Sequence, residues 1–157
     1  MRRLVILVFF ATFVGILHLS GSGLFMVFES GLQMLADNPT LYYNNDDCTR
    51  FITSVPQLWD DTKVLSAKLG EHLVVAKRSG DEWFIGGISA EHKEPIEMDV
   101  PLYFLPEGRN LTITSFEDGI NADRQAMHYA KKSREVHKGD TIRIRMMRNG
   151  GYAAVIK

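Results

Sequence analysis

The sequence predicts a mainly β chain: an antiparallel β-sandwich preceded by an α-helical N-terminal segment. Two observations carry this. From about residue 57 onward, short runs rich in Val, Ile, Thr, Phe and Trp are punctuated by Gly, Asn, Asp and Pro, which is strand-and-turn texture. Before residue 57 the apolar residues recur at helical spacing instead. At 157 residues and 45% apolar content, the chain suits one domain with a real core and a small appendage.

Residues 1–23 read as a signal-peptide-like or anchor segment. Met1-Arg2-Arg3 is positively charged, Leu4 to Leu17 is greasy apart from Thr12 and Gly15, and His18 to Gly23 supplies small residues. That is the layout of a secretory leader, and it predicts a periplasmic or secreted protein. Apolar character resumes at Leu24 to Phe28, so an uncleaved membrane anchor and a buried helix remain as alternative readings.

Residues 24–56 read as helical. Leu24, Val27, Phe28, Gly31, Leu32 and Leu35 share one face of a helix over 24–37. Phe25, Met26 and Met34 lie off that stripe, so the helix expects neighbours on more than one side. Asp37-Asn38-Pro39 ends it and "LYYNNDD" is a loop. Asp46 or Asp47 then caps a short helix, "CTRFITSV", that stops before Pro56.

Residues 57–157 supply seven expected strands, at 62–70, 71–78, 82–89, 94–100, 111–118, 140–148 and 151–157. Ser79-Gly80-Asp81 is turn chemistry between two of them, and Asn149-Gly150-Gly151 is a hairpin signal between the last two. "NADRQAMHYAKKS" (121–133) is expected to be a short helix or an irregular edge. Gly86 and Gly87 side by side in a strand predict close approach of another backbone within the packed sandwich.

Chemistry-bearing motifs are scarce. A formal net charge of −1 gives no field for nucleic acid. Cys48 is the only cysteine, which excludes an intramolecular disulfide and suits a small buried apolar residue. There is no phosphate-cradling glycine loop, HExxH, GxSxG or CxxC. His18, His72, His92, His128 and His137 are scattered, without local metal-ligand spacing. Asp118, Asn121 and Asp123 in "EDGINADR" cluster oxygens as a hard cation would want, but turn and capping roles explain them better. The basic run of Lys131, Lys132, Arg134, Lys138, Arg143, Arg145 and Arg148 lacks interleaved aromatics and reads as the solvated side of half-buried strands. Trp59, Trp83, Tyr103 and Phe104 are candidates for stacking on sugar rings, with core packing the plainer role.

Three stretches together resemble one family. "VFESGLQMLADNPTLYY", "CTRFITSVPQLWDDTKVLSAKLGEHLVVAKRSGDEWFIGGIS" and "FEDGINADRQAMHYAKKS" are similar to the C-terminal end of glycoside hydrolase family 97, bacterial α-glucosidases and α-galactosidases that are often periplasmic and calcium-dependent. The resemblance covers roughly residues 24–157. It implies that residues 24–37 match the last helix of a (β/α)8 barrel, and that the strands form a C-terminal sandwich concerned with packing and oligomerisation. The family's acid, base or nucleophile and its calcium-binding glutamates lie in the barrel and its loops, and no segment here matches those residues. The resemblance therefore implies no catalytic, cofactor-binding or metal-binding residue in this chain, and a truncated or stand-alone module. Its implied partners are a catalytic barrel or a second copy. A carbohydrate-binding module and a membrane-anchored interaction domain are the alternatives.

Overall fold

A computed structural model describes residues 19–28, 40, 43, 46–90, 94–119 and 129–157. Among the described residues two helices are followed by eight strands: α1 (Leu19–Val27), α2 (Asp46–Ser54), β1 (Asp61–Lys68), β2 (His72–Ser79), β3 (Glu82–Ser89), β4 (Ile96–Pro101), β5 (Leu111–Asp118), β6 (Tyr129–Val136), β7 (Thr141–Met146) and β8 (Gly151–Ile156). The strands make a six-stranded sheet of order β1-β2-β3-β8-β5-β6 and a two-stranded sheet, β4-β7, all antiparallel. This is the predicted antiparallel sandwich, with one sheet much wider than the other.

The wide sheet is buried on both sides. Its inner face meets β4-β7 across a core that includes Val74, Trp83, Ile85, Ile113, Ala154 and Ile156 from one sheet and Ile142, Ile144 and Met146 from the other. Its outer face carries a second core, in which Met26 of α1 and Cys48, Phe51, Ile52 and Val55 of the α2 region cover Phe84, Phe116, Ala153 and Val155. The spacing of Cys48, Phe51, Ile52 and Val55 is one helical stripe, with Asp46 and Asp47 in the first turn where the helix dipole favours them. β8, central and covered twice, is buried along its whole length. A strand apolar on both faces shows no alternation, as the sequence "GYAAVI" shows none.

The β2–β3 turn forms as expected. Ser79 pairs with Glu82, and Gly80 takes a φ of 60°, in the left-handed region that glycine tolerates. Its N–H donates to Asp60 Oδ2 at 2.7 Å.

Four expectations need correction. Helix α1 begins at Leu19, inside the leader-like stretch, rather than at 24; residues 29–37 of the expected helix lie outside the described residues. For 121–133 the sequence predicts a short helix or an irregular edge; from Tyr129 the segment is an edge, but a regular one, β6, paired with β5 from Asp118↔Tyr129 to Leu111↔Val136. As the edge strand it is mostly exposed, so burial never imposed a readable alternation on it. The Asn149-Gly150-Gly151 turn exists, with Asn149 at φ 51°, but β7 and β8 do not pair. β7 alternates charge with aliphatics and joins the half-solvated small sheet, whereas doubly apolar β8 goes to the centre of the large one, so the turn carries the chain between sheets. Finally, the close approach at Gly86 is made by a helix and not by the opposite sheet. A Cβ there would lie 2.6 Å from Met26 Cβ and 3.0 Å from Gly23 O, while Gly87 faces Met146 and Tyr152 on the inner side.

Candidate functional site

The predicted candidates separate into structural and surface groups. Cys48 is buried under α2. Asp118 Oδ2 accepts the backbone N–H groups of Met147 at 2.8 Å and Gly151 at 3.1 Å, so this carboxylate clasps the inter-sheet turn. A side chain at Gly150 would collide with it. Asn121 and Asp123 lie outside the described residues, as do His18, His92 and His128. His72 Nε2 lies 2.8 Å from Ser66 Oγ, and His137 Nε2 lies 3.2 Å from Asn110 Oδ1. Among the described residues no three His, Cys, Asp or Glu side chains are placed to hold a metal ion.

The aromatics do not form a stacking platform. Trp83 is buried in the inner core against Phe104, at 4.6 Å between ring centroids. Trp59 is half-buried, edge-on to Phe84, with Lys77 Nζ 5.5 Å from its ring centroid. Tyr103 alone of the four is exposed. Lys77, almost wholly buried on β2, escaped sequence reading because a lysine between Ala76 and Arg78 looks like an ordinary solvated position.

The basic run lies on the surface and is largely neutralised. Arg143 Nη2 donates to Glu97 Oε2 at 2.6 Å, and its Nη1 lies 3.8 Å from Asp99. The hydrogen bond and the charge of Arg143 hold the Glu97 carboxyl below the ordinary glutamate range, and Glu97 in turn raises Arg143. Lys131 pairs with Asp47 and Lys138 with Glu107, each at 2.8 Å. Burial, followed by the neighbouring Cys48 and Asp47, pushes the Tyr129 phenol up.

Two surface features remain. The first is a set of exposed apolar side chains: Phe28 just after α1, Tyr43, Leu58 beside Trp59, and Val64 of β1 opposite buried Val75. Leu58 is 82% exposed and Val64 60%, just before and within β1, the edge strand of the wide sheet. The second is an 820 Å³ cleft where the wide sheet overhangs the narrow one, between the β5–β6 hairpin and the free edge of β7. Its floor is Tyr152 and Ser115, and its walls carry Glu117, Lys132, Arg134 and Arg143. Glu117 Oε1 accepts from Ser115 Oγ at 3.0 Å, Oε2 from Lys132 Nζ at 2.6 Å. The buried Tyr152 phenol is pushed far up by desolvation and by Glu117, against the opposing pull of its Ser115 hydrogen bond and Arg134. This polar end was legible in β5, where the inward positions run Leu111, Ile113, Ser115, Glu117.

Comparison with known proteins adds the following. The family model described as "Glycosyl-hydrolase 97 C-terminal, oligomerisation" matches residues 58–157. A retaining alpha-galactosidase of Bacteroides thetaiotaomicron is 37% identical over 134 residues, 85% of this chain and 20% of its own length. A probable retaining alpha-galactosidase of Streptomyces bingchenggensis is 34% identical over 135 residues, 85% of this chain and 19% of its own. A glycoside hydrolase family 97 enzyme from a Pseudoalteromonas species, solved in complex with panose, superposes with a TM-score of 0.82 at 26% identity, covering 88% of this chain and 22% of that one. The chain thus spans about a fifth of the length of the curated relatives it matches. The structural likeness, at 88% of the chain, extends N-terminal to residue 58.

Proposed function

Because the chain belongs to glycoside hydrolase family 97 and carries that family's C-terminal oligomerisation domain, we propose that its own work is assembly and not glycoside cleavage. The match of residues 58–157 to a domain described by oligomerisation carries this reading. The exposed Leu58 and Val64, just before and within the edge strand β1, are apolar side chains that a protein partner there would cover. The partner is a second copy of the domain, with the family's catalytic barrel as the other neighbour of the helical side. The likeness N-terminal to residue 58 supports the equation of residues 24–56 with the end of such a barrel.

The test is oligomeric state. Light scattering across a concentration series should find the full chain associating, and Val64→Glu with Leu58→Glu should shift it toward monomer. A monomer at every concentration overturns the reading. The pure chain should also leave aryl α-galactosides and α-glucosides untouched. Glu117 and Asp99, the carboxylates lining the cleft beside β7, each lie beside a cation. Turnover that disappears in Glu117→Gln would defeat the assembly reading.

We also propose that this chain binds no calcium of its own; the thermal midpoint should be the same in chelator and in excess calcium. Export to the periplasm or medium is proposed from Arg2, Arg3 and the apolar run Leu4 to Leu17. N-terminal sequencing of the mature protein checks it, and separates a cleaved leader from an anchor. No helix among the described residues is long and apolar enough to cross a membrane. A sugar platform built on Trp83 is disfavoured by its burial.

A further inference from the structure

We propose that the cleft between the β5–β6 overhang and the edge of β7 is a binding site for a small hydroxylated carboxylate, with Arg134 as the anchor of the carboxylate. Ile113, Ser115 and Glu117 point inward, and their partners in register are Arg134, Lys132 and Ala130, so the overhang presents charge where the rest of the inner face presents aliphatics. The two-stranded sheet is too narrow to cover these positions, and an 820 Å³ space is left. That volume is of the order of a small-molecule pocket, about 300–1,000 Å³.

The charges in this space are not equivalent. Lys132 is taken by Glu117, and Arg143 by Glu97 and Asp99. Arg134 has no carboxylate partner among the described residues, and its one hydrogen bond runs from Nη2 to Thr141 O at 3.2 Å. A guanidinium carries five donors in a planar fork that matches a carboxylate in a bidentate way, so Arg134 retains donors for a ligand. Each Glu117 oxygen already accepts one hydrogen bond, and each has a further lone pair for a ligand hydroxyl. The Thr141 hydroxyl lies on the opposite wall. Asp99, the second carboxylate of the lining, lies 3.8 Å from Arg143, so the Arg134 guanidinium, the Glu117 acceptor and a hydroxyl are left for a ligand and suit a monoanion that also bears hydroxyl groups. A dianion such as phosphate would sit against Glu117. No aromatic face is offered, since Tyr152 is buried in the floor, so ring stacking contributes nothing.

The site is independent of the assembly surface, which lies at the β1 edge of the same sheet. It is tested by amide NMR titration of the isotope-labelled full chain with galacturonate, galactose, acetate and inorganic phosphate. Galacturonate should shift residues of β5, β6 and β7 saturably. Galactose should do so at least about tenfold more weakly, because it lacks the carboxylate that the Arg134 fork binds. Arg134→Ala should abolish the response while leaving the rest of the spectrum in place, and Arg134→Lys should restore it only in part, since a lysine keeps the charge and loses the fork. No saturable shift with galacturonate overturns the proposal. So does an equal response to acetate or phosphate, or an Arg134→Ala protein that binds as well as the parent.

Discussion

The two faces of the six-stranded sheet are packed by different means. On the inner face, side chains meet side chains: Val74, Ile85 and Ala154 interdigitate with Ile142, Ile144 and Met146. On the outer face a helix comes down onto the backbone itself. Gly23 of α1 lies so close to β3 that a Cβ would press into Gly87 O, and Gly86 leaves the space that Met26 fills. Sheet-on-sheet packing keeps backbones about 10 Å apart, so an added methyl there meets side chains, which can shift at a cost. A glycine seam has no such slack, because its contact atoms are backbone. The inner core should therefore answer to volume, and the outer one to shape at a few positions.

Truncation is the bluntest way to break that contrast. Phe84 is fully buried on the outer face and packs against Trp59, so Phe84→Ala should cost about 4 kcal/mol in urea unfolding. Ile85→Ala, one residue along and facing inward, should cost about 3 kcal/mol. If Phe84→Ala cost under about 1 kcal/mol, the helical cover would be a loose lid and the comparison would collapse.

The sharper test is Gly23→Val, expected to cost about 2 kcal/mol by overpacking. Hydrogen exchange should then show α1 amides losing protection while β4 and β7 keep theirs, because the inner core is untouched. Uniform loss across both sheets would mean that the two faces are one cooperative layer. Next in size is Tyr152→Phe, which removes the phenol that Ser115 hydrogen-bonds at the polar end of the inner face; about 1 kcal/mol is expected.

The smallest effect belongs to the solvated side of the narrow sheet. The Glu97 carboxyl is held low by Arg143, so the pair's contribution is present above the ordinary glutamate value and fades as pH falls through the lowered folded value. Both groups are exposed, so the thermal midpoint should drift only slightly over that range, and high salt or Glu97→Gln should remove the drift. A steep acid transition traced to Glu97 would show that this side is less solvated than its exposure says.

The elements that the sequence announced are those with at least one buried face or an obligatory turn. β3 and β5 lie where the sequence placed them, at 82–89 and 111–118, and the turn at Gly80 forms. β6 escaped notice because an edge strand bearing Lys131, Lys132, Arg134 and Glu135 carries no apolar period. The inter-sheet cleft was half-visible: Ser115 and Glu117 interrupt an inward aliphatic row, but nothing local says that Lys132 and Arg134 lie opposite them.

By itself the sequence determined the class of fold, the short capped helix α2 and most of the strand segments, whereas the stripe expected over 24–37 did not hold where it can be seen, since Met26 is buried and Phe28 exposed. What it determined rests on amphipathic period and turn chemistry, which are properties of neighbouring residues. Only the tertiary structure decided that β7 and β8 part company across the Asn149 turn, that Gly86 receives a helix, and that the Arg134 guanidinium has no carboxylate partner among the described residues. Those are outcomes of long-range pairing. Which sheet a strand joins depends on whether one or both of its faces find cover, and that is settled by segments far away in the chain.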